Sequence, residues 1–174
     1  MTFTSGHHGS PDRVGGQPGH GPVDKPWPPE LDYYYGFVMQ LSVDGQRLRV
    51  PGVIAIQLFQ PIDDGDNPTP KIILIPSVGT GNAAQDVVVH PLAQELDIGF
   101  EMIEEPDEVP NSLPTVESLA IFKSKLGGLD PWENDTGGRK FLGQIKESQV
   151  DLNFAGLNCG LYLETSGLVV AKLR

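Results

Sequence analysis

Near its two ends the chain presents the same residues in the same order, and this constrains the fold more than any other feature. The first stretch runs Arg13-Val14-Gly15-Gly16-Gln17-Pro18, then Pro26-Trp27, then Phe37-Val38-Met39-Gln40-Leu41. The second runs Lys125-Leu126-Gly127-Gly128-Leu129-Asp130-Pro131-Trp132, then Phe141-Leu142-Gly143-Gln144-Ile145. Past the glutamines the spacing agrees as well: Gly52 and Gly156 each lie 12 residues on, and the apolar pairs Leu58-Phe59 and Tyr162-Leu163 each begin 18 on. A shared order with matched offsets predicts an internal duplication. The expected fold is α+β and mostly β, with two similar antiparallel β units at 13–76 and 125–174, joined by a linker at 77–124.

Each unit reads as a short meander. In the first, Tyr34 to Val43 predicts a strand and Asp44-Gly45 a tight turn. Gly52 to Gln60 follows with apolar residues on both faces, the mark of a central strand. Asp63-Asp64-Gly65-Asp66-Asn67-Pro68 is turn chemistry, and Lys71 to Ile75 is the third strand. The second unit mirrors this with Lys140 to Lys146, Cys159 to Glu164, a turn at Thr165-Ser166-Gly167, and Leu168 to Leu173.

The linker differs in character. Asn82 to Leu96 places Ala83, Val87, Leu92 and Leu96 near one helical face, although Pro91 limits any helix to part of the segment. Asp97, Glu101, Glu104, Glu105, Asp107 and Glu108 then crowd together with no base between them, predicting a solvated or strand-flanking acidic loop. Leu119 to Lys125 favours a strand. Residues 1–12 show no periodicity and read as a flexible tail.

Charge and cysteine usage narrow the function. With 174 residues and a formal charge of −11, the chain is expected to form one domain and lacks the basic footprint that nucleic-acid binding requires. A basic protein partner fits that charge. The single cysteine, Cys159, lies in an apolar stretch and reads as a buried thiol in a reducing compartment. Residues 1–10 carry no signal-peptide pattern and no apolar run is long enough to span a bilayer, so the expectation is a cytoplasmic protein without membrane contact.

Signatures of chemistry are sparse, and neither catalytic residues nor a cofactor is expected. No Lys-Ser/Thr follows either Gly-Gly pair, against a phosphate loop. His7-His8 with His20 sits in a Gly-rich tail without metal geometry, and the acidic cluster at 63–67 lacks the terminal glutamate of a calcium loop. His90 is the remaining histidine, and Ser118 and Ser124 have no nucleophile elbow around them.

Several of these residues carry a resemblance. Ser124-Lys125-Leu126-Gly127-Gly128, Trp132, Phe141-Leu142-Gly143-Gln144-Ile145 and Gly160-Leu161-Tyr162-Leu163 resemble the YwqG-like family (DUF1963), and Val14 to Pro18 with Phe37 to Leu41 match it more loosely. The resemblance implies a mostly β fold of unassigned biochemical role, with some members encoded beside toxins in bacteria. It supplies no catalytic residues.

The candidate site residues follow from these readings. Gln40 and Gln144 interrupt apolar strands, and a buried amide must find partners for its carbonyl and its NH₂. They either bridge to the backbone of the Gly-Gly loop ahead of them or face a ligand in a pocket between the units. Gly15, Gly16, Trp27, Gly127, Gly128 and Trp132 complete the structural or pocket set. Glu104, Glu105, Asp107 and Glu108 are the candidates for partner binding. The expected function is a non-enzymatic protein-interaction module of the immunity or antitoxin type. The alternative is a small-molecule-binding or hydrolytic domain with its pocket between the two units.

Overall fold

Runs of β-branched and aromatic residues between Gly-, Asp- and Pro-rich turns become strands, because such side chains pack well on a pleated surface. A computed structural model describes residues 1–5, 11–19, 21–22, 35–62, 69–77, 80–81, 95–102, 123–128, 130–131, 138–146 and 158–173. In chain order its strands are β1 (Thr2–Ser5), β2 (Arg13–Val14), β3 (Gly21–Pro22), β4 (Tyr35–Ser42), β5 (Val53–Pro61) and β6 (Lys71–Pro76). They continue as β7 (Thr80–Gly81), β8 (Leu96–Gly99), β9 (Lys125–Leu126), β10 (Lys140–Lys146), β11 (Asn158–Leu163) and β12 (Val169–Leu173). A six-stranded sheet has the order β1-β8-β2-β4-β5-β6, a four-stranded sheet has the order β12-β11-β10-β9, and β3 pairs with β7 alone. All the pairings are antiparallel.

The expected mostly β fold is found: the described residues form strands in antiparallel sheets and contain no helix. Leu96, assigned to a helical face, lies in β8, where Ile98 is buried and period-two alternation prevails. Residues 82–94 of that stretch lie outside the described residues. The tail of residues 1–12 is also not uniformly loose, because Thr2–Ser5 pairs with β8 along its whole length. Main-chain pairing to a free sheet edge needs no side-chain periodicity, which is why the sequence pattern does not reveal it. Of the strand expected over Leu119 to Lys125, residues 119–122 lie outside the described residues, Lys123 and Ser124 are not in a strand, and β9 begins only at Lys125.

The two sheets share one core. Their inward residues include Val38, Leu41, Ile56 and Leu58 from the first sheet and Leu142, Ile145, Cys159 and Leu161 from the second, all buried in one cluster. Each large aliphatic side chain removed from water in this way contributes roughly 1.5–3 kcal/mol. Central β5 is apolar on both faces. Ile56 and Leu58 point to this core, while Phe59 joins Phe37 in a smaller cluster on the opposite face. The sheets also meet at both margins. On one side β6 runs close to β12. On the other, the Met1 nitrogen donates to the Ser124 carbonyl at 2.9 Å, one residue before β9.

Gly143 shows how close the strands lie. A methyl group added there would run into the Lys125 carbonyl, a backbone atom that cannot swing aside without opening the β9–β10 pairing. Gly143→Ala is therefore expected to lower stability by about 1–3 kcal/mol. An unshifted thermal midpoint would show that β9 yields freely.

Candidate functional site

The Gly-Gly segments and the glutamines come together in the same way in both sheets. Gly15 and Gly16 have φ of 63° and 60°, and Gly127 and Gly128 have φ of 69° and 75°, a left-handed pair that only glycine adopts without strain. Each pair follows a two-residue strand whose basic residue lies opposite a glutamine: Arg13 opposite Gln40, and Lys125 opposite Gln144. The first glycine of each pair donates to the neighbouring strand, Gly15 to the Val38 carbonyl at 2.8 Å and Gly127 to the Leu142 carbonyl at 2.7 Å.

Both glutamines are fully buried, and both amides are used by the main chain. Gln40 Nε2 donates to the Pro11 carbonyl at 2.8 Å, and Gln144 Nε2 donates to the Lys123 carbonyl at 2.7 Å. In each case the acceptor lies two residues before the short strand. Gln40 Oε1 also accepts from the Gly19 amide at 3.1 Å and from Gln57 Nε2 at 2.9 Å. The bridge to backbone is thus present at both positions, although it grips the residues ahead of the short strand and not the glycines themselves.

A second anchor repeats beside the first. Asp12 Oδ1 accepts from the Ser42 amide at 2.6 Å, and Ser124 Oγ accepts from the Lys146 amide at 2.8 Å. A register shift falls at Phe37/Met39 in β4 and at Phe141/Gly143 in β10. Phe37 then meets Phe59, and Phe141 meets Tyr162, each pair edge-to-face with ring centroids 5.6 Å apart. The equivalent of Phe59 is therefore Tyr162, one residue away from the match drawn on sequence spacing. The extra residue lies between Gln40 and Phe59, a span that includes the loop joining β4 to β5.

The two sheets differ in what surrounds these anchors. The register sets Gln57 opposite Gln40 but Gly160 opposite Gln144. Gly160 admits the Tyr162 ring, which lies within 2.8 Å of where a Cβ would stand. Burial, and next the Asp130 carboxylate, hold the Tyr162 phenol well above its ordinary range. Lys125 and Lys172 place their ammonium groups 5.7 Å and 5.4 Å from the centroids of the Phe141 and Tyr162 rings. In the first unit Arg47 bonds both Asp12 and Asp44 while lying 4.2 Å from the Phe100 ring centroid, tying the β4–β5 loop to the end of β8.

These groups are bound into the structure by burial, main-chain bonds and ring contacts. Burial pushes the Cys159 thiol up to about 12, far from nucleophilic use. Among the described residues no three His, Cys, Asp or Glu side chains gather as a metal site. Trp27, Trp132, Glu104, Glu105, Asp107, Glu108 and the four histidines lie outside the described residues. Sequence reasoning missed Asp12, Arg47, Gln57 and Tyr162. For Asp12 a signal exists, because it precedes the basic residue of its short strand as Ser124 precedes Lys125.

Two predictions follow the hydrogen bonds. Gln144→Leu should lower stability by about 1–3 kcal/mol by taking the amide partner from the Lys123 carbonyl, and Gln40→Leu should cost at least as much because three partners meet its amide. Equal midpoints for wild type and both variants would show that water satisfies these groups. The second concerns Asp44, whose carboxylate the Arg47 hydrogen bond holds well below its ordinary value of 3.8. A depressed carboxylate stabilises the fold above its unfolded pKa and loses that contribution as pH falls toward the folded value. Asp44→Asn should therefore lie below wild type in thermal midpoint at neutral pH, with the gap closing under strong acid. A gap independent of pH would exclude the ion pair.

The chain matches no family model, no curated protein and no solved structure.

Proposed function

We propose that this chain is a non-enzymatic protein-interaction module, built on two copies of one β unit, that covers a basic surface of its partner with its acidic segment. The immunity or antitoxin type is the form of such a module that agrees with the YwqG-like resemblance. The observation that carries the proposal is the way the acidic segment starts. β8 is held between β1 and β2, Ile98 is buried, and Phe100 lies beneath the Arg47 guanidinium. Glu101 and Met102 then stand exposed, Met102 almost entirely, and the sequence continues into Glu104, Glu105, Asp107 and Glu108. Negative charge thus issues from a fixed point on a stiff scaffold, within a chain of formal charge −11. Such an arrangement speeds encounter with a cationic surface and sets register on it. The glutamines support the alternative of a ligand pocket between the units less well, because their amides are bonded to main-chain carbonyls.

Site-specific crosslinking from position 104 or 108 identifies the partner. The combined variant Glu104→Gln, Glu105→Gln, Asp107→Asn, Glu108→Gln should keep the wild-type thermal midpoint yet associate about tenfold more slowly at low salt, with the difference shrinking as salt rises. An association rate that neither drops in this variant nor responds to salt would overturn the reading.

A further inference from the structure

We propose that β1 is an exchangeable closing strand, and that the groove it fills accepts residues 1–5 from a second copy of this chain. The proposal does not depend on the acidic-segment reading. The groove has two walls. One is the outer edge of β8, where Thr2, Phe3, Thr4 and Ser5 lie opposite Gly99, Ile98, Asp97 and Leu96. The other is the Ser124 carbonyl, which receives the Met1 nitrogen.

The second wall gains meaning from the likeness between the units. In the first unit the carbonyl before the short strand, that of Asp12, accepts from the Ile98 amide at 3.0 Å. In the second unit the equivalent carbonyl, that of Ser124, accepts from Met1. Met1 thus gives the Ser124 carbonyl the bond that Ile98 gives the Asp12 carbonyl. One short segment pairs with β8 and touches the residue before β9.

Backbone geometry explains how the segment binds. Ile98 turns its amide toward β2, so alternation along an antiparallel strand turns the Asp97 and Gly99 amides toward β1. Recognition is therefore largely main-chain pairing, which any copy of the segment can supply. β1 is short, and β8 is its only strand partner among the described residues. The following sequence, Gly6-His7-His8-Gly9-Ser10, includes two glycines that can absorb the backbone change of an exchange.

The test uses full chains. Thr4 and Asp97 lie directly opposite each other, and directly paired residues have Cα atoms about 5.5 Å apart, within disulfide range. A Thr4→Cys chain and an Asp97→Cys chain are mixed at high concentration, warmed, cooled and oxidised. The expected product is a covalent dimer of one copy of each, linked 4 to 97 and several-fold more abundant than either homodimer. The double variant Thr4→Cys/Asp97→Cys, diluted, should close within one chain. Closure in the double variant without the mixed dimer would overturn exchange, and failure of both would overturn the groove itself. If Asp97→Cys unfolds the protein, Thr2→Cys with Gly99→Cys repeats the test one row along the register.

Discussion

The two amide-to-carbonyl bonds from Gln40 and Gln144 hold the rest of the structure in place. Each joins the middle of a long strand to a segment too short to hold its own position. A two-residue strand makes few ladder bonds, and the left-handed glycines after it add no side-chain packing. Ahead of Arg13 and Lys125 the glutamine acts together with the second anchor, Asp12 on the Ser42 amide and Ser124 on the Lys146 amide, to fix the path of the chain. With both, the basic residue, the glycine pair and the strand margin all take defined places. The amide must be buried to bond reliably in this way, and burial in turn makes its removal expensive.

The remaining packing follows from that arrangement. Once the short strands are fixed, β4 and β10 present matching inward residues, and the two sheets close over one core. In each of these strands the phenylalanine packs on the face away from the shared core, Phe37 against Phe59 and Phe141 against Tyr162, while the following aliphatic residue lies within it. The sheets are not interchangeable, however. Gln57 completes a chain of amides in one, whereas Gly160 leaves room for the Tyr162 ring in the other, so the surroundings of the two glutamines differ in chemistry.

Much of this could be read from the residues themselves. Phe37 to Leu41 and Phe141 to Ile145 announced themselves through a glutamine set into an apolar run, and β5 announced its central position through apolar residues on both faces. The segments that escaped did so for physical reasons. Thr2–Ser5 has no alternation to detect, because its place depends on an edge offered by a strand far away in sequence. Leu96 fitted a helical face by spacing, but Ile98 and the pairing on both sides of β8 decided for extended backbone. The one-residue mismatch at Phe59 arose because a spacing count takes no account of the β4–β5 loop. As for the candidate site, the glutamines and glycine pairs were found, while Asp12 and Arg47 depend on contacts across loops that no local pattern encodes.

The closure of β1 also has a consequence for how the chain is made. During synthesis β1 cannot pair until β8 has followed it, and Met1 meets Ser124 only across a separation of 123 residues. The β4–β5 and β5–β6 hairpins can form long before either event. The nascent chain therefore passes through a stage in which a formed sheet waits beside an unclosed margin, and residues 1–5, made before either hairpin, are among the last to be folded.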